Sequence, residues 1–165
     1  GWINLRAMFI YHADFFVLRA GLIALVLGLL LALPQTFGPV RVGPVTLSLY
    51  WTLFGMTLAI VGLQSFFLGC IVQVMYNYSQ KVTSRWVRLF SYTRAMIVSA
   101  ALALAGLALG IPLIKEYVRA GLVLPNVNGT ANHMAAVGLL FVIAGFMTFS
   151  STLGLHAAAL RGRRI

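Results

Sequence analysis

The side chains of this sequence best suited to chemistry are arginines at the margins of apolar runs. Arg85, Arg88 and Arg94 stand with Trp86 and Tyr92 just ahead of a long apolar stretch. A guanidinium can grip phosphate oxygens through two parallel hydrogen bonds. Arg85 and Arg88, three apart on a helix, can address one lipid head group together. Arg6 in the amino-terminal segment and Arg19, about one turn inside the first apolar run, are further candidates for lipid-phosphate or head-group binding. At that depth a plain anchoring role competes, because a long arginine stem snorkels to the interface. The acids are two, Asp14 and Glu116, and they are expected on opposite sides of the membrane. With no carboxylate pair, no DxD motif and no glycine-rich phosphate loop, no catalytic residue is assigned and this chain alone has no catalytic constellation. His12, His133 and His156 do not form a spaced ligand set on one helix, so neither a metal nor another cofactor is expected in this chain.

The elements that must position these residues follow from composition. Of 165 residues, 61% are apolar and 8% charged, with a mean hydropathy of +0.97. A soluble domain carries about a quarter charged residues, and a disordered chain needs low hydrophobicity, so both classes are excluded. The net charge of +10 is spread along the margins of apolar runs, where it reports orientation and anionic lipid rather than nucleic acid. Four runs are long enough to cross a bilayer as helices, at about residues 15–34, 49–75, 95–114 and 134–160. They follow an interfacial juxtamembrane segment, 1–14, and precede a basic tail, 161–165. The expected fold is all-α: a polytopic membrane protein of four transmembrane helices arranged as two hairpins. Eight basic residues flank one side of these spans (Arg6, Lys81, Arg85, Arg88, Arg94, Arg161, Arg163, Arg164) and three the other (Arg41, Lys115, Arg119). On the premise of a bacterial-type inner membrane, that asymmetry predicts both termini and the middle loop in the cytoplasm.

Small residues recur at a spacing of seven, which puts each set on one helix face: Gly21 and Gly28, then Gly55, Gly62 and Gly69, then Gly138, Gly145 and Thr152. Gly106 and Gly110 form a GxxxG pair in the third run. All of these glycines are expected to pack helix on helix. Gln64, near the middle of the second run, is expected to hydrogen-bond across helices. Cys70, the single cysteine, lies inside that same run and reads as a packed small residue.

Three stretches resemble the carboxy-terminal membrane region of bacterial family 2 glycosyltransferases, the group related to dolichol-phosphate mannose and glucose synthases. They are Trp2-Ile3-Asn4-Leu5-Arg6-Ala7-Met8-Phe9 before the first span, Gly38-Pro39-Val40-Arg41-Val42-Gly43 in the outer loop, and Gly62-Leu63-Gln64-Ser65-Phe66-Phe67-Leu68-Gly69, echoed at Gly145 to Ser151. The resemblance implies a membrane anchor for an enzyme that transfers a sugar from a nucleotide sugar to a polyprenyl phosphate at the cytoplasmic face. It implies as partners membrane lipids, including the polyprenyl phosphate, and a GT-A catalytic domain, in cis or in trans. That domain is absent from this sequence, which opens where it should have ended, and the divalent metal belongs to it. A second copy of the chain is a further candidate partner. Two other functions fit the composition: a small four-span transporter of lipid-linked sugars, or a structural subunit of a larger membrane complex.

Overall fold

The computed structural model describes residues 14–76, 80–122 and 129–162. Arg6, Trp2 and the rest of the juxtamembrane segment up to residue 13 lie outside the described residues, as do Arg163 and Arg164.

The first span opens with a π-helical turn, Asp14–Arg19, continues as α1, Ala20–Ala32, and ends in a 3-10 turn, Leu33–Phe37. Pro34 has no N–H to give to a helical hydrogen bond, and two side chains finish the helix end. Gln35 Nε2 donates to the Leu31 carbonyl at 2.7 Å, and the Thr36 hydroxyl donates to that of Leu33 at 2.6 Å. These carbonyls are among those a helix end leaves without partners. The outer loop is a β-hairpin, β1 Val40–Val42 against β2 Val45–Leu47, with Val42 opposite Val45. Its two-residue turn places Gly43 at φ +61° before Pro44, the order a type II′ turn takes.

The second span is α2, Leu49–Tyr76, about 42 Å long at 1.5 Å per residue. A short helix, α3, spans Gln80–Leu89. Its sequence sets Ser84, Arg85 and Arg88 on one face and Trp86 and Val87 on another, the pattern of a helix lying in the interface. The third span, α4, runs Tyr92–Arg119 and so extends past the apolar run at both ends, with Pro112 inside it. It stops in a Schellman motif: Leu122 N–H donates to the Tyr117 carbonyl at 3.0 Å and Gly121 N–H to that of Val118 at 3.4 Å, with Gly121 at φ +70°. The fourth span is α5, Thr130–Gly162. Four helical segments, Val17–Phe37, Leu49–Met75, Tyr92–Arg119 and Thr130–Leu160, are long and apolar enough to cross a membrane. Their outward faces are apolar, with Leu104 68% and Phe146 69% exposed, as lipid rather than water requires.

The helices pack chiefly in the order α1–α2–α5–α4. The seven-residue glycine sets make the contacts. A Cβ on Gly21 would stand 2.7 Å from Phe66 N, and one on Gly55 would stand 2.9 Å from Ala32 N. Gly62 is seated against Leu25, and Gly69 against Leu18. α1 and α2 are therefore antiparallel, with backbones in contact along their length. Between α4 and α5, Gly106 faces Gly138, and a Cβ on Gly145 would stand 2.7 Å from the Ser99 carbonyl. The two pairs join where Met56 and Ala59 of α2 meet Leu140 of α5.

Two sequence expectations are refined here. Gly110 joins the seam through its backbone alone: its N stands 3.4 Å from a Cβ placed on Gly138, whereas a Cβ on Gly110 would meet nothing within 4 Å. The seam on α4 follows Ser99 and Gly106, seven apart, because helices crossing at a shallow angle keep contact at a spacing near 3.5 rather than at every fourth residue. Gln64 does not reach across to a neighbouring helix. It is exposed, on the face of α2 turned away from the Gly62 seam.

Alanine at Gly62 should lower stability by about 1–3 kcal/mol, the usual cost of forcing volume into a filled contact. Alanine at Gly110 should change it by less than about 0.5 kcal/mol. Thermal unfolding of both variants in the same detergent would check the pair, and equal midpoints would refute the seam.

Candidate functional site

Two polar constellations form, one at each end of the bundle. The first is built around α3. Leu18, Cys70, Val74 and Leu155 make a buried cluster on which Trp86, Val87 and Phe90 rest. Trp86 Nε1 donates to Gln73 Oε1 at 2.7 Å, and its ring lies 6.0 Å from that of Phe66 in an edge-to-face contact. Aromatic pairs in this geometry add to area burial, so α3 is held by both a ring cluster and a hydrogen bond.

The turn from α3 into α4 is fixed by a histidine. His156 lies 2.9 Å from the Phe90 carbonyl, which accepts from Nε2. The Nε2 tautomer is therefore the one that satisfies this helix-end carbonyl. The Tyr92 ring stands edge-on to the imidazole at 6.4 Å. Beside this clamp opens a surface cleft of about 410 Å³ lined by Val87, Arg88, Ser91, Tyr92, Arg94 and His156. Its walls combine two guanidinium groups, a hydroxyl, a phenol and an aliphatic side chain. That set can take an anionic group next to an apolar one.

The structure thus brings Arg88 and Arg94 together across the α3–α4 turn. Arg85 is exposed one turn earlier on α3 and is not part of the cleft wall. Arg19 is exposed at the same end of the bundle, next to Leu18 of the buried cluster. A second cleft, about 550 Å³, is lined by Pro112, Lys115, Glu116, Arg119 and Ala120. Four of these belong to the end of α4 and Ala120 caps it, so among the described residues no second element shapes the cleft. Among the described residues, no three His, Cys, Asp or Glu side chains gather as metal ligands.

The constellation at the other end was not legible as a site in the sequence. Gln35, Thr52 and His133 are each fully buried. The Thr52 hydroxyl donates to Gln35 Oε1 at 3.0 Å and lies 3.0 Å from His133 Nδ1. With its one proton given to Gln35, the hydroxyl accepts from Nδ1–H, and Gln35 passes its own amide proton to Leu31. Protons run in one direction through this chain and tie together the end of the first span, the start of α2 and the start of α5. His133 Nε2 is left buried with no partner among the described residues. The three residues sit on three segments, so no local spacing announces them.

Thr52→Val keeps the shape and removes the hydroxyl, leaving two buried polar atoms unpaired. It should cost about 1–3 kcal/mol, while Thr52→Ser should cost clearly less. Detergent melting curves of the two variants would decide this, and a Val variant as stable as the parent would show that the chain of hydrogen bonds contributes nothing.

The family described as glycosyltransferase family 2 C-terminal transmembrane region matches residues 70–159, more than half of the chain. No curated protein and no solved structure matches. The matched stretch contains every residue of the Arg88–Arg94 cleft, together with Gln73 and Trp86 that seat α3. It carries the end of α2, the interfacial helix and the last two spans. The chain belongs to the C-terminal transmembrane region of family 2 glycosyltransferases, the membrane-anchoring part of such an enzyme.

Proposed function

We propose that this chain anchors a glycosyltransferase at the cytoplasmic face of a bacterial inner membrane and presents a polyprenyl phosphate to its GT-A catalytic domain. The observation that carries the reading is the cleft in which Arg88 and Arg94 stand beside Tyr92 and Val87. Two guanidiniums suit a phosphate, and the apolar wall suits the first isoprene units of its tail. With α3 lying in the interface, as its amphipathic sequence suggests, the cleft at its junction with α4 would stand at the depth of a lipid phosphate. The excess of basic residues on this side of the spans supports a cytoplasmic setting.

In this reading the chain supplies binding and orientation, and sugar transfer belongs to the catalytic domain, which would hold the nucleotide sugar and its divalent metal. Arg88 and Arg94 would hold the phosphate oxygens, with the hydroxyl of Ser91 between them in sequence. Arg19 and Arg85, exposed at the same end, would add to the positive field without touching the phosphate. Arg6 remains a candidate contact from the juxtamembrane segment.

The test is binding of a polyprenyl phosphate to the full chain in lipid nanodiscs, read by native mass spectrometry. Each lost charge-assisted hydrogen bond is worth about 1.5–3 kcal/mol, so Arg88→Ala and Arg94→Ala should each weaken binding at least about tenfold. Arg85→Ala should weaken it less than about threefold. Equal binding of the uncharged polyprenol, or an unchanged affinity in the Arg88→Ala/Arg94→Ala double variant, would overturn the reading.

A further inference from the structure

The exposed face of α2 holds a polar group at the depth where lipid offers it nothing. Tyr50, Phe54, Thr57, Val61, Gln64, Leu68 and Met75 are all exposed. Steps of three and four from Tyr50 to Leu68, and a last step of seven to Met75, trace one stripe along the helix. The stripe faces neither α1, which meets the Gly55–Gly62–Gly69 seam, nor α5, which meets Met56 and Ala59. Gln64 lies within two residues of the midpoint of the span Leu49–Met75, close to the bilayer centre. The hydroxyl of Thr57 is satisfied by the Leu53 carbonyl at 2.9 Å. The Gln64 amide has no hydrogen bond among the described residues. An amide in hydrocarbon without a partner is costly.

We infer that this stripe is the contact between two copies of the chain, related by a two-fold axis near Gln64. The amide itself selects the occupant. A glutamine side chain carries both donor and acceptor, so two copies facing each other across a two-fold each give and take one hydrogen bond. The rest of the stripe is uncharged, so no like charges are brought together despite the net charge of +10. Its 3–4 spacing matches the shallow left-handed crossing of paired membrane helices. A single polar residue within an apolar stripe also fixes register, because any shift along the helix unpairs it.

The experiment measures energy transfer between donor- and acceptor-labelled full chains in phosphatidylcholine vesicles as the protein is diluted into lipid. The parent chain should associate as a dimer. Gln64→Leu should weaken association about five- to thirty-fold, in keeping with one or two lost interhelical hydrogen bonds, and Gln64→Asn should restore part of it. In parallel, Leu68→Cys should form an oxidative cross-link between copies, whereas Leu104→Cys, exposed on α4, should not. A monomeric parent chain, an unaltered dimer in Gln64→Leu, or cross-linking through Leu104→Cys alone would each overturn the proposal. None of these readouts depends on lipid-phosphate binding, so this proposal and the function proposed above stand or fall separately.

Discussion

Close backbone contact is the constraint on which the rest of this structure depends. Lipid tails solvate a leucine as well as another leucine does, so apolar side chains give helices in a bilayer little reason to associate. Short-range dispersion between surfaces that truly touch must take over. The seats of Gly62 on Leu25, Gly55 on Ala32 and Gly106 on Gly138 provide such surfaces. Their register sets everything at the ends. With α1 and α2 aligned this way, Gln35 arrives opposite Thr52 at one end, and Leu18 reaches Cys70 and Val74 at the other. A slip of one helical turn, about 5.4 Å, would pull both groupings apart.

The two ends use that register differently. At the Gln35–Thr52–His133 end, hydrogen bonds between buried side chains join three segments, which is rigid because each partner is held by its own span. At the α3 end, the partners are a carbonyl and a side chain at the turn between an interfacial helix and a span. Arg88 belongs to α3 and Arg94 to α4, so their separation depends on that turn. His156, reaching in from α5, donates to the Phe90 carbonyl inside it and so couples both arginines to the bundle. A site whose charged groups are already placed loses less on binding than one that must assemble them.

Much of this was legible in the sequence, for definable reasons. Apolar length alone marked the four spans, and a spacing of seven marked the faces on which Gly21, Gly28, Gly55, Gly62, Gly69, Gly138 and Gly145 pack. For Gln64, depth without direction does not identify the partner. It follows the seam residue Gly62 by two positions, about 200° around the helix, and this arithmetic already turns it away from the packed face. The polar junction was out of reach for a different cause. Gln35, Thr52 and His133 are separated by 17 and 81 residues, and which spans meet at that end is decided by tertiary packing. For the cleft, sequence spacing favoured Arg85 with Arg88, whereas the break between α3 and α4 brings Arg94 to Arg88 instead.

The distribution of polarity bears on what kind of task such a bundle suits. Moving a sugar head group across the membrane calls for polar surface along the way, including at mid-depth. Where α2 and α5 meet, the side chains are Met56, Ala59 and Leu140, and the glycine seams leave backbones in contact without space between them. The one amide near the bilayer centre of α2, Gln64, faces outward. Among the described residues, the charged groups that line clefts stand at the two ends of the bundle, Arg88 and Arg94 at one and Lys115, Glu116 and Arg119 at the other. A closely packed apolar middle suits the proposed role, holding a lipid phosphate at the margin, better than passing a head group through. In that role the glycine contacts matter because they fix the register of the spans, and with it where the rim residues stand.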